Sequence, residues 1–325
     1  MRITPPNSLI SAQFSQNITS LRESISRTAE EATTGRYSDL TAHLSGRIGT
    51  AMLSQKAVED ISFQREQLSQ REGRLEVTQR SLTLIHERVL GLDTSMREAL
   101  ANGDLISQGL AAREAKAALS NVFSALNVRF GERFLFAGDA TATQPLPSPD
   151  DLLAEIRQLA DSAASPADFA ASLDTYFNTP GGGWQQSIYG GTNTASDPDA
   201  VTGTNPALVE LISGLAVLAL GDPADSPALF RQDPDTVLAG ASRVTSGLTA
   251  LTSLRADRGV IQEQLTIQKE SLDIEETIFA NAFNALTARD QYEAASALKT
   301  LESTLEASYL LTSRLASLSL LNYLR

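Results

Sequence analysis

The chain has 325 residues, a formal net charge of −13 and no cysteine. Lacking cysteine, it forms no disulfide, thiolate metal centre or thiol nucleophile. Its acidity opposes a phosphate-binding surface, which needs an excess of Lys and Arg, so no nucleic-acid partner is expected. Ala, Leu and Ser dominate and aromatics make up 6%, a helix-rich composition.

The N-terminus, MRITPPNSLISAQF, has no apolar core followed by a small-residue cleavage site, so a Sec signal peptide is not expected and any secretion takes another route. After Pro5-Pro6, the residues Ile10, Phe14, Ile18, Leu21 and Ile25 recur at helical spacing and form one apolar stripe. Thr33-Thr34-Gly35 ends that helix, and an irregular connection to about Gly49 follows. From about residue 51 a second helix carries Ile61, Leu68, Leu75, Leu82, Val89 and Met96 at seven-residue intervals, with Thr78, Ile85, Leu92 and Ala99 beside the later members. This is a sustained heptad seam. Gly73 and Gly91 within it each cost about 1 kcal/mol relative to Ala, so the helix needs a packing partner. After Asn102-Gly103-Asp104 a third helix is predicted over about 106–130.

Prolines and the Gly181-Gly182-Gly183 triplet punctuate residues 139–205. Ser148-Pro149 and Ser165-Pro166 each supply an N-cap and a first-turn Pro, and predict two short helices. Trp184 to Gly191 reads as strand and turn. Asn205-Pro206 begins an apolar helix through Leu220, the strongest apolar window, which is too short to span a bilayer; no membrane insertion is expected. Ser226-Pro227 and Asp233-Pro234 are further starts, and from about residue 235 the chain reads as almost uninterrupted helix. Leu251, Leu265, Leu272, Phe279 and Leu286 share one register, and Leu298, Leu301 and Leu305 continue as a stripe. In the ending ASLSLLNYLR, Leu315, Leu318, Leu320, Leu321 and Leu324 surround too much of the helix for one partner to cover, which points to burial between subunits.

These features predict a mainly α protein: an elongated coiled-coil helical bundle formed by the N- and C-terminal regions, with a small mixed α/β insert in the middle. The ends meet as an antiparallel or mixed coiled coil. Three divisions follow: a terminal helical assembly domain of 1–48 plus 290–325, a helical rod domain of 49–138 plus 206–289, and a variable insert of 139–205. The candidate assembly interface comprises Ile10, Phe14, Ile18, Leu21, Ile25, Leu305, Leu315, Leu318, Leu321 and Tyr323. Phe134, Phe136 and Gly138 mark the insert boundary, where clustered aromatics read either as filling its base or as serving a more specific role.

No catalytic, cofactor-binding or metal-binding residue is nominated, and the chain is not expected to be an enzyme. His43 and His86 lack a second His or a Cys at ligand spacing and read as solvated surface residues. No G-x-S-x-G elbow occurs. Gly181-Gly182-Gly183 precedes Trp184 and Gln185 without the Lys-Ser/Thr of a phosphate loop. Glu30-Glu31, Asp150-Asp151 and Glu275-Glu276 point to different sides of their helices and read as solvated, not as acid-base pairs. Asn17-Ile18-Thr19 matches a glycosylation sequon but lies within the amphipathic stripe, where coincidence is the better reading.

Three stretches resemble the bacterial flagellin superfamily and, within it, the hook-associated protein 3 (hook-filament junction) family. They are MRIT with the stripe to Ile25 and Ala32-Thr33-Thr34-Gly35-Arg36; Gly131 to Gly138, GERFLFAG; and the ending from Leu305, LEASYLLTSRLASLSLLNYL. The last is the most specific, while Tyr37-Ser38-Asp39-Leu40 departs from the family by lacking a Pro. The resemblance implies a structural subunit of the extracellular flagellum, made in the cytoplasm, exported unfolded and assembled through its terminal helices. It also implies partners: copies of itself in a ring, hook-associated protein 1, flagellin, the flagellar export apparatus and a cytoplasmic export chaperone. A flagellin-type filament subunit is the alternative within the class, and a soluble coiled-coil signalling or adaptor protein the alternative outside it.

Overall fold

The computed structural model describes the backbone of residues 7–323 and the side chains of residues 12–314. Eleven α-helices occur among them: α1 (Asn7–Thr34), α2 (Leu40–Leu44), α3 (Ile48–Val89), α4 (Leu92–Asn102), α5 (Leu105–Leu126), α6 (Pro149–Ser162), α7 (Pro166–Asn178), α8 (Pro206–Ala219), α9 (Ala228–Gln232), α10 (Asp235–Thr287) and α11 (Gln291–Tyr323). The sheet content is one antiparallel pair, β1 (Arg129–Phe130) with β2 (Arg133–Phe134), in the register Arg129 to Phe134 and Phe130 to Arg133. The protein is mainly α, a helical bundle with a small insert. It has two compact units, Met1–Arg65 with Ser271–Arg325, and Glu66–Glu270.

The Glu66–Glu270 unit contains the core. Leu75, Leu82, Val89 and Met96 are all buried, as are Thr78, Ile85, Leu92 and Ala99 beside them, so the seven-residue pattern marks the inward face. Gly91 interrupts the helix instead of being carried within it: its φ of +88° lies in the left-handed region, and α4 restarts beyond it. Gly73 stays helical, and a Cβ there would meet the Phe130 ring at 3.0 Å, so the glycine makes room for an aromatic at the base of the insert. The α5 and α8 helices pack together in the core with Ala115, Leu119, Val122, Leu208, Leu211 and Leu215.

Where α8 meets α10, glycine sets the spacing. A Cβ on Gly214 would fall 2.7 Å from the Val244 backbone nitrogen, and one on Gly247 would fall 2.7 Å from the Leu211 Cα. The two helices therefore touch backbone to backbone.

The capping signals behave as their chemistry requires. Ser148 Oγ accepts from Asp150 N, Ser165 Oγ from Asp168 N and Asn205 Oδ1 from Ala207 N, each with Pro in the first turn. Trp184–Ile188, expected as strand, forms one π-helical turn instead. Tyr189 ends it, and its backbone N–H returns to the Trp184 carbonyl. Trp184 is fully buried against Phe177 and Tyr189, so burial of its large ring overrides the local strand preference. Likewise the connection before α3 is not irregular, because Asp39 caps α2 by accepting from Ala42 N at 2.9 Å. Among the described residues no helix is long and apolar enough to cross a membrane.

Candidate functional site

In the unit built from the two ends of the chain, α1 lies against α11. Two contacts fix their sense. Arg22 donates to the Tyr309 hydroxyl from Nη2 at 2.5 Å and from Nε at 3.0 Å, whereas Glu31, later in α1, pairs with Arg289, just before α11. The helices are antiparallel. Phe14, Ile18, Leu21 and Ile25 on α1 are half-buried, as are Leu298, Leu301 and Leu305 on α11. A single partner thus covers part of each stripe and leaves apolar surface over.

The open end of α1 is joined to the break between α10 and α11 through backbone and side chains together. Arg289 N donates to the Gly35 carbonyl at 2.9 Å and Tyr37 N to the Thr287 carbonyl at 3.1 Å, around an isolated antiparallel bridge between Arg36 and Ala288. Gly35 has φ +68°, which a side chain tolerates poorly. Glu31 is 6% exposed, and its carboxylate accepts from Ser38 N at 3.1 Å, Ser38 Oγ at 3.2 Å and Arg289 Nη1 at 2.5 Å. The Arg289 guanidinium also lies 5.1 Å from the Tyr37 ring centre, and Tyr37 stacks on His43 at 3.6 Å. Glu31 and His43 are therefore not the solvated surface groups that sequence alone indicates: Glu31 is a buried partner of Arg289, and His43 is half-buried against an aromatic ring.

Of the other nominated residues, Ile10, Leu315, Leu318, Leu321 and Tyr323 have side chains outside the described residues. Just before them, Leu310 and Leu311 on α11 are exposed at 58% and 53%. Within the same unit Met52, Phe63, Ile274 and Ile278 are also exposed. At the insert boundary, Phe134 is half-buried in β2, with the Arg129 guanidinium 4.7 Å from its ring centre. Phe136 is fully buried, and its carbonyl accepts from the Tyr189 hydroxyl at 2.8 Å and from Gly203 N at 3.0 Å. Gly138 has φ +63°, and a Cβ there would fall 2.3 Å from the Thr192 carbonyl oxygen. These three residues therefore bind the base of the insert together.

A second charged cluster holds the insert loop. Asp199 accepts from Arg71 Nε and, at 2.9 Å, from Arg71 Nη2; Asp197 accepts from Arg74 Nε at 3.1 Å, and Arg258 Nη1 donates to the Asp199 carbonyl at 3.1 Å. The Arg71 hydrogen bond holds the Asp199 carboxyl below the usual carboxylate range. Burial pushes the Tyr189 hydroxyl up to about 12, so it remains a neutral donor to Phe136. Among the described residues no group of three or more His, Cys, Asp or Glu side chains could hold a metal.

The outstanding geometry is thus a helix from the end of the chain paired with a helix from its start. Residues 242–324 match the bacterial flagellin C-terminal helical region. That segment covers most of α10 and all of α11, the helix on which α1 lies. No curated protein matches the chain. A solved structure from Vibrio parahaemolyticus, named as a flagellar hook-associated protein, aligns with 86% of this chain and 98% of its own at 14% identity and a TM-score of 0.35. A likeness of that size adds no argument to the match.

Proposed function

We propose that this chain is a structural subunit of the bacterial flagellum, incorporated through α1 and α11 into the junction between hook and filament. The observation that carries the reading is the flagellin match on α10 and α11, in a structure where α11 pairs with the N-terminal helix. Half-buried stripes support assembly, since neighbouring copies can cover the apolar surface that one helix partner leaves. In this reading residues 1–48 with 290–325 form the assembly domain, and Ile10, Phe14, Ile18, Leu21, Ile25, Leu305, Leu315, Leu318, Leu321 and Tyr323 face neighbours. The neighbours are other copies, hook-associated protein 1 and flagellin. A cytoplasmic chaperone covering the apolar end of α11 before export fits the same surface.

A second reading, the filament subunit itself, is favoured by the fact that the matching family region is that of flagellin. Deletion of the gene separates the two. A junction subunit leaves bare hooks while flagellin is still made and spills into the medium; a filament subunit leaves no residual flagellin to spill.

A further inference from the structure

We propose that Glu31, Arg289 and the Gly35–Ser38 turn form a clasp that sets the register of α1 on α11. The apolar stripes themselves specify register poorly. Ile18, Leu21 and Ile25 on α1 and Leu298, Leu301 and Leu305 on α11 are all half-buried aliphatic groups at helical spacing, so a slip by one turn puts one such group where another stood. The second polar contact, Arg22 with Tyr309, lies on the exposed side, where a guanidinium and a hydroxyl readily exchange protein partners for water.

Glu31 differs in kind. Its carboxylate is nine-tenths buried at the last turn of α1, where the helix dipole disfavours an anion, and it has partners in one alignment only. Sliding α1 along α11 would withdraw Glu31 from Arg289, break the Gly35 and Tyr37 backbone bonds to Arg289 and Thr287, and leave a charge buried without a partner. A buried polar contact placed in an otherwise permissive apolar seam is an established way for helices to acquire a unique register. Because the pairing lies within one chain, the clasp does not depend on where the protein resides.

The chain has no native cysteine, so two spin labels can be placed without background. Gln16→Cys and Lys299→Cys are both exposed and offset along the helix axes, which makes their separation sensitive to sliding. Pulsed electron resonance on the doubly labelled full chain should give one narrow distance. Glu31→Gln should broaden that distribution or displace it by about 5 Å, one helical turn. Glu23→Gln, which removes an exposed carboxylate of the same helix, should leave it unchanged. Far-ultraviolet circular dichroism, to which α1 and α11 contribute, reports whether each variant keeps its helices, and emission from the single tryptophan, Trp184, reports the other unit. A broad distribution in the parent chain, an unchanged narrow distance in Glu31→Gln, or equal broadening in Glu23→Gln overturns the proposal.

Discussion

Gly214→Ala should destabilise the Glu66–Glu270 unit although it adds the best helix-forming residue to the middle of a helix. In an open helix the exchange contributes about 1 kcal/mol of stability. Here the new Cβ would fall 2.7 Å from the Val244 nitrogen, 2.8 Å from the Gly240 oxygen and 2.9 Å from a Val244 methyl. Two of these are backbone atoms that no rotamer change can remove, so α8 and α10 must separate. Overpacking of this kind typically costs about 1–3 kcal/mol, and rigid backbone contacts place the site at the upper end. The net loss is therefore about 1–2 kcal/mol, or roughly 3–6 °C in melting temperature for a domain of this size. Gly259→Ala is the matched control on α10, because its Cβ would meet nothing nearer than Gln79 Nε2 at 3.9 Å. It should stabilise by about 0.5–1 kcal/mol. Thermal and urea unfolding followed by Trp184 emission reads both variants, and a Gly214→Ala chain as stable as the parent would refute the close helix crossing.

Leu21→Asp should abolish incorporation into flagella while shifting the Trp184 transition by less than about 0.5 kcal/mol, because Leu21 lies in the other unit; flagella purified from the mutant strain and unfolding of the purified monomer give the two readouts. Removal of residues 315–325 should likewise leave that transition in place and prevent incorporation, and normal filaments carrying the truncated chain would contradict the assembly role of the end. Asp199→Asn should cost on the order of 1–2 kcal/mol at pH 7, reduced from the full effect of breaking a buried pair because Arg71 is partly exposed. Since the Asp199 carboxyl is held below its ordinary range, its contribution is present above that range and is lost as pH falls through the depressed value. The gap between parent and variant in urea titrations should therefore narrow from pH 7 to pH 3.

What the sequence disclosed follows from periodicity and capping, which are local. Ile61, Leu75, Leu82, Val89 and Met96 are buried because a seven-residue repeat keeps them on one face whatever they pack against. The repeat fails at Phe279, which is 37% exposed, because shared register identifies a face without saying where its partner ends. The break at Ala288–Asp290 was legible in principle: Asp290 followed by Glu293 has the spacing of a helix start, and Asp290 accepts from both Tyr292 N and Glu293 N. Glu31 was harder to read. An acid at the C-terminal turn of a helix hints at a compensating cation, but the cation is Arg289, which only the folded chain brings near. Strand propensity misled at Trp184, because its ring is buried against Phe177 of α7 and against Tyr189 at the end of its own turn, a packing that local preference does not encode.

The central claim is that this chain is a flagellar structural subunit positioned where hook meets filament. Immunogold labelling of isolated flagella with an antibody or tag on the 139–205 insert tests it directly. The account predicts gold at the hook-filament boundary. Gold along the whole filament would favour the flagellin reading, and flagella without label from cells that make the protein would contradict the flagellar assignment itself.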